Sequence, residues 1–193
     1  MHVPRLNLPL VLTYLRIVAI PLFVAVLYVP ESWIDERTAS VVSMWIFIIA
    51  AITDWADGYL ARRWNQTTPF GAFLDPVADK LMVAAALIVL TEKGIVDPFA
   101  ALIIIGREIT ISALREWMAH IGQSKNVAVN ILGKVKTVTQ LVAIPFLLFN
   151  GVLFGLFHTV GVGRALIWVA AIITLLSMVV YLKAAIASPP PQK

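Results

Sequence analysis

No cysteine occurs in the 193 residues, so disulfides and thiolate metal sites are excluded. Charge is scarce as well. Only 13% of the residues are Asp, Glu, Lys or Arg, against about a quarter in an ordinary soluble domain. With 60% hydrophobic residues, that shortage excludes a soluble globular domain and points to an integral membrane protein. Acidic residues are the minority charge, 11 against 15 Lys and Arg. In a membrane protein such an excess reads as orientation, not as nucleic-acid binding. The three histidines, His2, His120 and His158, are scattered and form no ligand set. Neither a repeat nor a soluble domain is visible, and residues 1–193 read as a single membrane domain.

What is present is apolar length. A span needs about 20 mostly apolar residues, and six stretches qualify: 8–29, 39–61, 72–91, 97–119, 127–149 and 165–186. The expected fold class is therefore all-α integral membrane, with six transmembrane helices. His2 and Arg5 before the first stretch imitate a secretory signal, but no small-x-small cleavage site follows near "YVPESW", so the stretch reads as a retained span. Pro21 and Pro145 fall inside spans, which membrane helices tolerate. Counted by side, 12 of the Lys and Arg residues fall on the side of the termini and 3 on the other, namely Arg37, Lys93 and Arg164. The bias predicts that both termini and the "ARRWNQTTPFG" loop are cytoplasmic.

The charges inside the spans carry the chemistry. Asp54, Asp57, Gly58 and Ala61 recur at i, i+3, i+4 and i+7, one face of a helix, with Arg62 beside it. After the helix-breaking "NQTTPF", Gly71, Asp75 and Asp79 form a second stripe at i, i+4 and i+8. Pro76 sits early in that helix and is tolerated if it falls within the first turn. Two antiparallel helices would then turn paired carboxylates into one gap. Acids near a span end also pair with Arg62, Arg63 or Lys80 at the headgroups. Four in this arrangement, however, repel one another unless cations neutralise them. An oxygen-only donor set suits a hard divalent ion, Mg²⁺, Mn²⁺ or Ca²⁺. Four carboxylates have the capacity for two ions, the usual clamp of phosphoryl chemistry. The small residues Gly58, Ala61 and Gly71 serve equally for helix packing or for ligand approach.

The pattern Asp54-x-x-Asp57-Gly58-x-x-Ala61-Arg62, then eight residues, then Gly71-x-x-x-Asp75-x-x-x-Asp79, resembles the signature of the CDP-alcohol phosphotransferases. It matches at every fixed position. The resemblance implies a six-helix, homodimeric membrane enzyme that transfers a phosphoalcohol from a CDP-alcohol to a hydroxyl and releases CMP. It implies two divalent ions, Mg²⁺ or Mn²⁺, on Asp54, Asp57, Asp75 and Asp79, with Asp79 also the general base. Asp57, Gly58, Ala61, Arg62 and Gly71 would line the CDP-diacylglycerol site.

Further segments bear on the acceptor. "GREITISALREWMA" (106–119) and "GKVKTVTQ" (133–140) resemble the acceptor side of the members that use sn-glycerol 3-phosphate. That dianion requires a cationic pocket, for which Arg107, Arg115, Lys134 and Lys136 are the candidates. Glu108 and Glu116 are placed to hold or neutralise them. Lys134 and Lys136 differ by about 200° on a regular helix and would not share one face of it. The N-terminal "NLPLVLTYLRI" adds Thr13 and Arg16 as secondary candidates, although Leu10 follows Pro9 where members often carry Asn. The expected activity is transfer of a phosphatidyl group to sn-glycerol 3-phosphate at the cytoplasmic face of a bacterial inner membrane. Inositol phosphate is the rival acceptor. Intramembrane acids also mark ion-coupled transporters, but here they cluster at one end and the chain lacks two-half symmetry.

Overall fold

Polar groups are buried and apolar ones exposed. Thr13, Arg16, Ser43, Arg107, Lys136, Gln140, Thr159, Thr174 and Ser177 are all buried. Leu15, Val18, Leu22, Trp45, Ile49, Ile52, Ile88 and Ile172 lie on the outside, each more than half exposed. Water would favour the reverse, since exposed apolar surface of this extent is rare on soluble proteins. The computed structural model describes residues 8–63, 69–120 and 131–186.

Among the described residues six helices follow one another: α1 (Leu8–Leu27), α2 (Glu36–Arg63), α3 (Pro69–Glu92), α4 (Pro98–His120), α5 (Ile131–Phe149) and α6 (Thr159–Ile186). Two of them, over Glu36–Asp54 and Thr159–Lys183, hold stretches long and apolar enough to cross a membrane by length and composition. Shorter apolar stretches run over Val11–Leu27 and Val135–Phe149. The helices close into a ring in the order α1, α2, α5, α6, α4, α3 and back to α1. Its interior is apolar, built around Phe23, Phe47, Leu87, Ile104, Ile144, Leu147 and Ile167. The Phe23 and Phe47 rings meet edge to face at 6.4 Å.

Local chemistry sets the helix ends. Asp35 caps α2, its carboxylate accepting from the Thr38 N–H at 2.8 Å and the Thr38 hydroxyl at 2.7 Å. Those two bonds favour the ionised form and hold the Asp35 carboxyl below the usual carboxylate range. Asp97 accepts from the Phe99 N–H at 2.8 Å to cap α4, with Pro98 at the first helical position. α3 ends on Gly94 at φ +68°, where Ile95 N–H reaches back to the Leu90 carbonyl and Gly94 N–H to that of Thr91. Arginines from other helices seal two of these ends. Arg164 donates to the carbonyls of Ile95 (2.6 Å) and Gly94 (2.9 Å). Arg37 donates to the carbonyls of Phe149 (2.5 Å) and Asn150 (3.3 Å), its guanidinium 4.0 Å from the Phe149 ring. A side chain at Gly151 would collide with that guanidinium.

Two points of the sequence reading meet the structure differently. Pro76 lies beyond the first turn of α3, because Pro69 belongs to the helix and already occupies its first position. The carbonyl of Ala72 therefore has no helical donor at Pro76. Also, the helix expected from 165 begins at Thr159, preceded by a small antiparallel hairpin that pairs Val152 with His158 and Leu153 with Phe157. Thr159 closes it through bonds to Gly151.

Candidate active site

α1 lies between the two aspartate helices. It packs along both α2 and α3, which touch each other little. Thr13 and Arg16, one turn apart on α1, face Asp75 and Asp79, one turn apart on α3. Thr13 donates its hydroxyl to Asp75 Oδ1 at 2.6 Å. Arg16 Nη1 lies 2.6 Å from Asp79 Oδ1 and 2.5 Å from Asp54 Oδ1. A third rung, Tyr28 to Glu92 at 3.0 Å, keeps α1 and α3 parallel and in register along their length.

Asp54, Asp75 and Asp79 therefore all meet α1, a third helix between the two that carry them. Asp54 of α2 and Asp79 of α3 share one guanidinium nitrogen of α1. Thr13 and Arg16, secondary in the sequence reading, are almost wholly buried and hold three of the four predicted carboxylates. Asp57, Gly58, Ala61 and Arg62 lie on α2, but their side chains are outside the described residues. Gly71 is buried in the first turns of α3. Among the described side chains no three acidic or histidine groups form a ready-made metal cage. The donor set still fits a hard divalent ion. Asp54 and Asp79 bring carboxylate oxygens to one cationic point, and their side chains remain 35% and 45% exposed.

A second polar cluster lies where α4, α5 and α6 meet. Glu108 Oε1 accepts from Arg107 Nη1 at 3.1 Å and also pairs with Lys136. Arg107 Nη2 donates to Ser177 Oγ at 2.9 Å, and Arg115 Nη2 donates to the Tyr181 hydroxyl at 3.2 Å. Both guanidinium carbons stand over the Tyr181 ring, at 5.6 Å for Arg107 and 5.3 Å for Arg115. Three of the four predicted acceptor cations are thus brought together. The side chain of the fourth, Lys134, lies outside the described residues. Glu108 is the carboxylate that holds the cations; Glu116 makes no such pair among the described residues. Two buried donors, Arg107 Nε and Gln140 Nε2, have no protein partner in the described structure. Such donors suit an oxygen-rich ligand. A cavity of about 120 Å³ between α3 and α4 is lined by Lys80, Glu108 and apolar side chains of both helices.

The sequence reading missed Ser177 and Tyr181. The only available signal was a hydroxyl pair at i and i+4 in an otherwise apolar run. A larger cavity of about 430 Å³ lies beside the Arg164 seal, at the far end of α3 from the aspartates.

The chain is similar to known proteins over most of its length. The family model for CDP-alcohol phosphatidyltransferases matches residues 6–180. The CDP-diacylglycerol–glycerol-3-phosphate 3-phosphatidyltransferase of Salmonella typhimurium is 51% identical, covering 94% of this chain and 96% of its own. The enzyme of the same name from Escherichia coli is 49% identical over the same shares. With a match across nearly its whole length, the chain belongs to the CDP-alcohol phosphatidyltransferase family.

Proposed function

We propose that this chain transfers the phosphatidyl group from CDP-diacylglycerol to sn-glycerol 3-phosphate, giving phosphatidylglycerophosphate and CMP. The observation that carries the acceptor is the convergence of Arg107, Arg115 and Lys136, with the buried Arg107 Nε left without a protein partner in the described structure. A phosphate dianion matches that charge, and Glu108 pairs with Arg107 and Lys136. Two curated relatives at about half identity carry this reaction in their names.

Asp54, Asp57, Asp75 and Asp79 would hold divalent cations, Mg²⁺ or Mn²⁺, two to a site. When bound, these cations neutralise the pyrophosphate charge that builds up during transfer. Asp79 takes the proton of the acceptor hydroxyl. That oxygen bonds to the diacylglycerol-bearing phosphorus as the bond to the CMP oxygen breaks. Arg16 and Thr13 fix the orientation of the carboxylates, and Arg62 answers phosphate charge on the CDP side. The six helices span a bacterial inner membrane with both termini and the active site at the cytoplasmic face, and the chain acts as a homodimer. The lipid tails lie against the exposed apolar faces, reaching the headgroup chemistry from the side.

The test is CMP release by the purified protein with CDP-diacylglycerol, Mg²⁺ or Mn²⁺, and a set of acceptors. The set comprises glycerol 3-phosphate, inositol phosphate, inositol, serine and phosphatidylglycerol. Turnover selective for glycerol 3-phosphate and lost on chelation is the expected result. Selective turnover with another alcohol overturns the acceptor assignment and leaves the aspartate chemistry standing.

A further inference from the structure

α6 carries no charge between Arg164 and Lys183, and its hydroxyls are easily read as packing. Two of them touch the acceptor cations instead. Ser177 is buried. Its Oγ accepts from Arg107 Nη2 and donates to the Thr174 carbonyl at 2.9 Å, so both its hydrogen-bonding roles are committed. Tyr181 is 3% exposed and wedged against Ile111 and Met118 of α4, with Leu114 and Met178 around it. That packing leaves its ring little rotational freedom. Its face meets both guanidiniums and its hydroxyl accepts from one of them. An aromatic ring attracts a guanidinium more strongly where water is excluded. Arg107 and Arg115 lie two turns apart on α4, and like charges do not stay together without something to hold them.

We infer that Tyr181, assisted by Ser177, is a positioning residue: a rigid aromatic bracket that holds Arg107 and Arg115 toward one phosphate group. Tyr181 lies one residue beyond the segment that matches the family. This inference rests on the acceptor assignment proposed above. It assigns Tyr181 no contact with substrate. Its effect passes through the two arginines, so it acts on acceptor binding and not on the transfer step. The ring and the hydroxyl contribute separately. Tyr181→Phe removes only the hydroxyl, whereas Tyr181→Leu removes both while still filling the site with an apolar side chain.

The experiment measures CMP release by the full-length enzyme against each substrate with the other saturating, for Tyr181→Phe, Tyr181→Leu, Ser177→Ala and Arg115→Ala. Tyr181→Leu is expected to raise the KM for glycerol 3-phosphate about tenfold, and Tyr181→Phe or Ser177→Ala about threefold. The kcat and the KM for CDP-diacylglycerol stay within about twofold of the unaltered enzyme, since neither depends on the bracket. If Arg115→Ala raises the acceptor KM and Tyr181→Leu does not, the bracket is wrong and the acceptor site stands. If Arg115→Ala leaves that KM unchanged, both fall. A purely structural Tyr181 would lower the melting temperature and kcat together with no selective change in acceptor KM, which also overturns the inference.

Discussion

Arg16 and Asp79, 63 positions apart, meet at 2.6 Å, and the same arginine nitrogen reaches Asp54 at 2.5 Å. One cation on α1 therefore balances carboxylates from both aspartate helices. Removing one partner of a fully buried ion pair costs about 3–5 kcal/mol. The acids are 35% and 45% exposed, so the cost here is smaller, about 1–2 kcal/mol after allowing for solvent screening. Arg16→Met should leave the protein folded but less heat-stable in chelator. Mn²⁺ should then raise the melting temperature more in the variant than in the unaltered protein. An equal Mn²⁺ response in both would show that Arg16 and the ion do not serve the same carboxylates.

Asp79→Asn tests the proton acceptor. The amide keeps the shape and still accepts a bond from Arg16, but it cannot take a proton. Turnover should fall by at least about a hundredfold, with unchanged helical circular dichroism. Retention of full activity would remove Asp79 from the mechanism.

The α2 cap supplies a pH dependence. Thr38 holds the Asp35 carboxyl below its ordinary value, so the folded form binds a proton less readily than the unfolded chain. The resulting stabilisation is present above the unfolded carboxylate value and is lost as pH falls through the lower, folded one. Asp35→Asn keeps a capping oxygen but does not titrate. The melting temperatures of Asp35→Asn and the unaltered protein should differ most near neutrality and converge in acid, below the ordinary carboxylate range. A constant difference across that range would mean that the carboxylate charge contributes nothing at this cap.

Gly163 tests a close contact between α5 and α6. A Cβ there would sit 2.6 Å from Leu147 Cγ and 3.3 Å from the Ala143 carbonyl. Gly163→Ala should therefore destabilise by about 1–3 kcal/mol, seen as a lower melting temperature. Pairing it with Leu147→Ala should recover part of the loss. No recovery would place the strain elsewhere.

The six helices were legible because apolar length is a strong signal, and the aspartate stripes because i+3 and i+4 spacing is a geometric one. The part of α1 was harder to see. Thr13 and Arg16 look like any hydroxyl and positive charge near the end of an apolar stretch, and only the α1–α3 register turns them toward Asp75 and Asp79. Tyr181 was less visible still, because nothing in the α6 run distinguishes a ring that stacks under arginines from one that faces lipid. The 150–158 hairpin was hidden for another reason. Its strands are two residues each, shorter than any periodicity can register, and its turn depends on left-handed backbone at Phe154 and Gly155.

The two arginine seals constrain the order of assembly. Arg37 leaves the ribosome long before Phe149, the carbonyl it caps, and the end of α3 at Gly94 is made long before Arg164. Neither bond can form until the later half of the chain has been synthesised and has docked. The ends of α3 and α5 opposite the active site therefore stay unlatched through early insertion. Closure of this side of the ring is a late event that joins the first half of the chain to the second.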